Sequence, residues 1–186
     1  MQTLPNILTI GRIIAVPFFV AALLLPDPFW RWTAFVLFVA AAITDFLDGY
    51  IARKYNLTSD LGRMLDPIAD KMVVAGSILG LLATGVLGWI GFWAGFVILI
   101  RELFVSGLRE FMGPKNIAVP VSQLAKIKTA IELFALGLLI AVPLFADMNM
   151  GGLARDVGLA ALALAAALAI WTGLGYFRAA WPHLKT

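Results

Sequence analysis

The sequence predicts an all-α integral membrane protein with six transmembrane helices. The chain of 186 residues is 62% hydrophobic and 13% charged, whereas soluble domains average about 45–50% apolar and about 25% charged residues. Its apolar residues form six long segments, which turns containing Pro or Gly separate. Most Lys and Arg residues lie at those segment ends that would face the same side of a membrane.

A spanning helix needs about 20 mostly apolar residues. Six segments meet this requirement: 7–25, 30–50, 67–87, 90–110, 127–146 and 154–176. The first segment lacks the basic start and the small-residue cleavage site of a secretory signal, so we expect it to be retained as a helix. A single membrane domain over residues 1–186 is the natural organisation for this length.

The distribution of basic residues predicts the orientation of the chain. Twelve of the 14 Lys and Arg residues lie on the side that holds both termini, and Arg31 and Arg155 lie on the other side. The positive-inside rule therefore predicts that both termini and the basic connections near residues 50–71 and 101–128 face the cytoplasm. These charges form no basic face on a water-soluble surface, so we expect no nucleic-acid partner. The sequence contains no Cys, which excludes disulfides and thiolate metal sites.

Four aspartates lie where the second segment ends and the third begins. Asp45 and Asp48 are three residues apart, and Asp66 and Asp70 are four apart; on helices both spacings place the paired carboxylates on one face. Two adjacent helix ends can thus aim all these carboxylates at one point. Ionised carboxylates there would repel each other in a low dielectric, and a divalent cation relieves the repulsion. Such oxygen ligands suit Mg²⁺ or Mn²⁺, and Mg²⁺ commonly joins carboxylates to substrate phosphates.

Each aspartate taken alone has a structural interpretation, as an interfacial cap or as the partner of a nearby Arg or Lys. Four together make that interpretation weaker, because charged groups at membrane depth are usually functional. The small residues around them, Gly49, Ala52 and Gly62, leave room for a ligand or for close helix approach. Arg53 can hold a phosphate oxygen in a bidentate manner.

Together these residues form the pattern D-x2-D-G-x2-A-R-x8-G-x3-D-x3-D over residues 45–70. It resembles the signature of the CDP-alcohol phosphotransferases, integral membrane enzymes of phospholipid synthesis. Residues 5–12, PNILTIGR, are similar to the N-terminal element of that family. Residues 101–110 and 121–129 resemble its phosphatidylglycerophosphate synthase branch.

The resemblance implies a six-helix membrane domain with a short amphipathic N-terminal segment, usually present as a homodimer. Its cavity would open to the cytoplasm from a bacterial cytoplasmic (inner) membrane. The implied reaction is attack of an acceptor hydroxyl on the β-phosphorus of CDP-diacylglycerol, with Mg²⁺ or Mn²⁺ as cofactor. With sn-glycerol 3-phosphate as acceptor, the products are phosphatidylglycerophosphate and CMP. The expected partners are therefore the two substrates, membrane lipids and a second copy of the chain.

The resemblance also implies roles for individual residues. Asp45, Asp48, Asp66 and Asp70 are expected to bind metal, and Asp70 is also the expected general base. The CDP donor is expected to contact Asn6, Thr9, Gly49, Ala52, Arg53, Ser59 and Gly62. The phosphate of the acceptor requires cations, and the expected ones are Arg101, Arg109, Lys126 and Lys128. On a helix Lys126 and Lys128 diverge, so we expect only one of them to point inward. Glu102, Glu110 and Glu132 are expected to orient these cations.

Other interpretations stay open at this point. Each basic residue can instead be a positive-inside or headgroup-facing charge, which is our interpretation of Lys115 and Lys185. The acceptor can be inositol phosphate, serine or choline. A cation channel or transporter with intramembrane carboxylates predicts transport without a CDP-lipid, and it leaves the Gly, Ala and Arg positions of the pattern unexplained. A scaffold protein would have no need of clustered aspartates.

Overall fold

The structure of this chain is a computed structural model. It describes residues 4–55, 59–113 and 122–184. Within these ranges the side chains of residues 4, 5, 50–53, 55, 146, 147 and 184 are not described. The side chains of Ala52 and Arg53, and the whole of Lys115 and Lys185, therefore lie outside the described part of the chain.

Helices account for nearly all of the described residues, and no strand occurs among them, which confirms the predicted all-α class. A short 3-10 helix, Val142–Met148, follows the fifth α-helix. The α-helices are α1 (Leu4–Leu24), α2 (Pro28–Tyr55), α3 (Asp60–Ala83), α4 (Gly88–Met112), α5 (Gln123–Ala141) and α6 (Gly151–Leu184).

Five helices, α1, α2, α4, α5 and α6, are long and apolar enough to cross a membrane, so the chain is a multi-pass membrane protein. The 24 residues of α3 are of comparable length, but Asp66, Asp70 and Lys71 interrupt its apolar sequence. The prediction of six spans is thus confirmed for five of the helices. The expected separate amphipathic N-terminal segment is not confirmed, because α1 runs without a break from Leu4 to Leu24.

Several helices extend beyond the apolar segments that predicted them. Helix α3 begins at Asp60 instead of residue 67, because Ser59 caps its N-terminus and accepts a hydrogen bond from the backbone N–H of Gly62 at 3.0 Å. Such a cap satisfies one of the N–H groups that a helix start leaves without an intrahelical partner. Polar turns therefore continue the helices past the apolar residues. All four aspartates therefore lie within α-helices, Asp45 and Asp48 on α2 and Asp66 and Asp70 on α3.

Close packing of α1 against α2 and α3, and of α6 against α4 and α5, organises the bundle. Small residues make this possible, as is common between helices in membranes. A Cβ atom on Gly80 of α3 would lie 2.6 Å from Cδ2 of Leu23 on α1. Likewise, a Cβ atom on Gly158 of α6 would lie 2.7 Å from Cγ of Leu139 on α5. The first half of α1 lies beside the end of α2 and the beginning of α3.

Candidate active site

The end of α2 and the beginning of α3 bring three of the predicted aspartates onto one residue of α1, Arg12. Its Nη1 donates to Oδ1 of Asp45 at 2.5 Å and to Oδ1 of Asp70 at 3.0 Å. Its Nη2 donates to Oδ2 of Asp48. Arg12 is only 4% exposed. The guanidinium therefore lies between the carboxylates that the two helix ends present.

The fourth aspartate joins the cluster through Thr9, which precedes Arg12 by three residues on α1. Thr9 is fully buried, and its Oγ1 donates to Oδ1 of Asp66 at 2.7 Å. Residues three apart share one face of a helix. One face of α1 thus contacts all four aspartates, two on α2 and two on α3.

The cluster is suited to a divalent cation by its chemistry. Its ligand atoms are carboxylate oxygens, which Mg²⁺ and Mn²⁺ prefer. Asp48 is buried, but 45% of the Asp45 side chain and 53% of the Asp70 side chain are exposed, so metal and substrate can reach them. One guanidinium leaves the charge of four carboxylates largely uncompensated. In the described residues no group of three or more Asp, Glu, His or Cys is already arranged as a metal cage, and the guanidinium of Arg12 lies between the carboxylates.

Residues predicted to contact the donor line the same region. Ser59 Oγ donates to Oδ1 of Asn6 at 2.7 Å, which joins α1 to the start of α3. The absence of a side chain on Gly62 leaves room for this contact, because a Cβ atom there would lie 2.8 Å from that same Asn6 oxygen. Gly62 thus serves close helix approach, one of the two roles expected of it. Gly49 directly follows Asp48 on α2.

Two cavities meet at Asp70. One of about 140 Å³ adjoins the aspartate cluster and is bordered by Arg12, Asp45 and Asp70. The other, of about 550 Å³, lies between α3 and α4 and is bordered by Asp70, Arg101 and Arg109, with Glu110 also in its wall. Lys71, Glu102 and Asp70 belong to both walls. A molecule in the larger cavity can therefore reach the aspartate cluster.

Lys126 and Lys128 diverge on α5 as predicted. Lys128 is 2% exposed, and its Nζ donates to Oε1 of Glu102 at 2.7 Å and to Oε2 of Glu132 at 2.6 Å. Lys126 is exposed and borders a third cavity, of about 360 Å³, with Arg101 and Arg109. Lys128 borders the small cavity beside the aspartates. The expectation that only one of the two lysines points inward is therefore confirmed, since Lys128 is buried and Lys126 is exposed.

A tyrosine of α6 supports the two arginines. Nη2 of Arg109 donates to Oη of Tyr176 at 2.8 Å. The Cζ atoms of Arg109 and Arg101 lie 5.0 and 5.6 Å from the centre of the Tyr176 ring, within the range of cation–π attraction. Arg101 Nη1 also donates to Oε1 of Glu102 at 2.8 Å. Glu102 thus contacts both Arg101 and Lys128, the cations it was expected to orient.

Three residues of this site were absent from the residues predicted to form it: Arg12, Lys71 and Tyr176. Arg12 was counted as a charge on the cytoplasmic side and belonged to the N-terminal element at residues 5–12, but it was given no role in the site. Lys71 was interpreted as another such charge or as an ion-pair partner of an aspartate. A signal for Arg12 was present, since an ionisable residue within an apolar helix is usually functional. Lys71 Nζ donates to Oγ of Ser106 at 2.6 Å, a contact with another helix that no sequence pattern indicates. Tyr176 resembles the aromatic residues that lie at membrane interfaces.

Known proteins are similar to this chain over most of its length. Residues 2–171 match the family model described as CDP-alcohol phosphatidyltransferase. A protein of Rickettsia bellii is 46% identical over 178 residues, which cover 96% of this chain and 95% of that protein. A protein of Cereibacter sphaeroides is 37% identical over 98% of this chain and 97% of its own length. A chloroplastic/mitochondrial protein of Arabidopsis thaliana is 41% identical over 98% of this chain and 64% of its own length. All three are named CDP-diacylglycerol–glycerol-3-phosphate 3-phosphatidyltransferase.

Proposed function

This chain belongs to the CDP-alcohol phosphatidyltransferase family, and from that premise we propose that it transfers the phosphatidyl group of CDP-diacylglycerol to sn-glycerol 3-phosphate. Membership confirms the family that the pattern over residues 45–70 predicted. In the proposed reaction the acceptor hydroxyl oxygen forms a bond to the β-phosphorus of the donor. The bond from that phosphorus to the oxygen of CMP breaks, and the hydroxyl proton passes to the protein. The relatives described above are named for this activity.

The position of Asp70 between the aspartate cluster and the cavity of about 550 Å³ carries this proposal. Its carboxylate belongs to the aspartate cluster and also borders the cavity that contains Arg101 and Arg109. A general base must lie within hydrogen-bond reach of the proton that it removes. An acceptor whose phosphate lies against the arginines would extend its hydroxyl towards Asp70. The proposed base and the proposed acceptor site would therefore be adjacent.

The donor site is proposed around the aspartates. Asp45, Asp48, Asp66 and Asp70 would hold Mg²⁺ or Mn²⁺, which would neutralise charge on the phosphate oxygens. Gly49 and Arg53 would contact the diphosphate; Ala52, which shares their pattern, and Gly62 would allow the donor to approach. Asn6, Thr9 and Ser59 would contact the nucleotide. The alignment of Asn6 and Thr9 on the α1 face that meets the aspartates supports this assignment.

The acceptor phosphate is proposed to bind Arg101, Arg109 and Lys126. They border one cavity of about 360 Å³, and the planar guanidinium groups suit phosphate oxygens. Lys128 differs from them, because two carboxylates already hold its ammonium group. Its contacts favour a positioning role in this site, in which it fixes Glu102 and thereby Arg101. Discrimination between phosphorylated and uncharged acceptors would then depend mainly on the two arginines and Lys126.

The membrane arrangement follows from the same reasoning. We propose that α3 is a sixth span whose charged first half lines the polar cavity. The uneven distribution of Arg and Lys residues supports a cytoplasmic position for both termini and for the active site, at a bacterial inner membrane. A homodimer is part of the proposal, as the family resemblance implies.

An acceptor panel tests the proposal. The purified chain is assayed for CMP release from CDP-diacylglycerol with Mg²⁺ or Mn²⁺ and one acceptor at a time: glycerol 3-phosphate, glycerol, inositol phosphate, serine or choline. We expect release with glycerol 3-phosphate and little with glycerol, its matched control without a phosphate. Release with another acceptor instead would contradict the proposed substrate but keep the family. Ion flux in vesicles without any CMP release would favour a channel or transporter.

A further inference from the structure

Arg12 is the one described cation that contacts three of the four aspartates at once. Its side chain is 2% exposed, and all its partners lie on other helices, at least 33 residues away in the chain. Its Nε is also buried and has no hydrogen-bond partner among the described residues. The carboxylates are therefore the groups that hold the guanidinium in place. The proposed function uses these same carboxylates as metal ligands but gives Arg12 no role.

Charge explains why a cation is needed at this position. Carboxylates on neighbouring helix ends repel each other strongly where the effective dielectric is low. Without a counter-charge, the ends of α2 and α3 would be pushed apart. The guanidinium offsets part of this repulsion and donates to Asp45 and Asp70 through a single nitrogen. Arg12 thus holds the cluster together by the electrostatic principle that a bound divalent cation would use.

The oxygen atoms that Arg12 contacts belong to three of the four carboxylates proposed to bind metal. An oxygen that accepts a short charged hydrogen bond has less electron density available for a metal ion, and the positive guanidinium repels a second cation nearby. Arg12 and a divalent cation therefore cannot use these atoms independently.

We propose that Arg12 is the internal counter-cation of the metal-free active site and competes with the divalent cation for Asp45, Asp48 and Asp70. The inference rests on the metal site of the proposed function. Arg12 keeps the aspartates assembled before metal binds and gives up its hold on them when metal binds. Arg12 is therefore a positioning residue: it keeps the aspartates assembled, and it lowers metal affinity because it competes for the same carboxylates.

Metal affinity and metal-free stability test this role without measuring turnover. Mn²⁺ binding is measured by calorimetry or electron paramagnetic resonance on the purified chain in detergent, and thermal unfolding is followed with EDTA and with excess Mn²⁺. The variants are Arg12→Gln, which removes the charge, and Arg12→Lys, which keeps the charge but cannot bridge several carboxylates through a fork. Arg63→Gln is the matched control, because Arg63 lies within residues 45–70 between the two aspartate pairs, is 72% exposed and pairs with exposed Asp60.

We expect Arg12→Gln to bind Mn²⁺ about tenfold or more tightly, because a positive charge beside the metal has been removed. The same variant should unfold at a lower temperature than the parent in EDTA and regain stability with Mn²⁺. The Mn²⁺ affinity of Arg12→Lys should lie between that of the parent and that of Arg12→Gln. The Mn²⁺ affinity of Arg63→Gln should stay within about twofold of the parent value, because solvent screens the charge of Arg63.

Equal or weaker Mn²⁺ binding by Arg12→Gln would overturn the inference and leave the metal site intact. If Arg12→Gln fails to fold even with Mn²⁺, the comparison rests on Arg12→Lys, whose affinity must still exceed that of the parent. A parent chain that binds no Mn²⁺ at any concentration would overturn the metal site of the proposed function as well.

Discussion

Replacing Tyr176 by Phe removes one hydroxyl group beside the proposed acceptor site and keeps the aromatic ring. That hydroxyl accepts a hydrogen bond from Arg109 Nη2 at 2.8 Å. A hydrogen bond to a charged group contributes about 1.5–3 kcal/mol. Because Arg109 is exposed towards the cavity, water can replace the lost partner, which favours the lower end, about 1.5 kcal/mol. Such a loss corresponds to about tenfold in affinity for the acceptor.

We therefore expect Tyr176→Phe to raise the KM for glycerol 3-phosphate about tenfold, with kcat changed less than about twofold. Tyr176→Ala also removes the ring beneath both arginines, and each cation–π contact contributes about 0.5–1 kcal/mol or more. Its KM should rise about a hundredfold. The KM for CDP-diacylglycerol should stay unchanged in both variants, because the cations over the ring, Arg101 and Arg109, are proposed to bind the acceptor.

Initial rates over a grid of donor and acceptor concentrations separate these constants. Phe177→Leu is a suitable control, since Phe177 neighbours Tyr176 but packs against Phe104 and Trp181. It should leave the acceptor KM unchanged. The reasoning would be refuted if Tyr176→Ala left the acceptor KM at the parent value, or if it raised the donor KM instead.

Three further variants probe separate parts of the site. Asp70→Asn should abolish CMP release while thermal unfolding stays cooperative, because the proposed base can no longer accept a proton; activity near that of the parent would exclude Asp70 as base. Lys128→Gln should lower the free energy of unfolding in detergent by about 3–5 kcal/mol, because it leaves Glu132 buried without its cation; chemical denaturation measures this loss, and an unchanged midpoint would contradict it. Gly62→Ala should raise the KM for CDP-diacylglycerol more than that for the acceptor, because a Cβ atom 2.8 Å from Oδ1 of Asn6 would displace that proposed nucleotide contact. The rate grid would show the opposite order if Gly62 served the acceptor.

The spacing of the aspartates made a large part of the site predictable. Pairs three and four residues apart share a helix face in any helical fold, so Asp45 with Asp48 and Asp66 with Asp70 could be placed from local geometry. Their convergence also needed only that α2 and α3 follow each other in the chain. The apolar segments likewise predicted every α-helix, although several of their ends were misplaced. The starts of α3 and α5 were placed too late, because Ser59 and Ser122 cap polar turns that precede the apolar residues.

Contacts between distant parts of the chain could not be predicted in the same way. Tyr176 meets Arg109 across 67 residues, and Arg12 meets Asp70 across 58. These contacts depend on which faces of the packed helices meet, and the spacing of residues along a single helix does not determine this. Hydropathy also failed to describe α3 fully, since the charges that interrupt its apolar sequence are the same charges that form the site.

Product analysis with labelled acceptor tests the central claim most directly. The purified chain is given CDP-diacylglycerol, Mn²⁺ and glycerol 3-phosphate that carries ¹⁸O in the attacking hydroxyl, and the products are identified by mass spectrometry. We predict phosphatidylglycerophosphate that retains the ¹⁸O, together with unlabelled CMP, and neither product in the presence of EDTA. Phosphatidic acid together with a cytidylylated acceptor would show attack on the other phosphorus, and that result would contradict the proposed reaction.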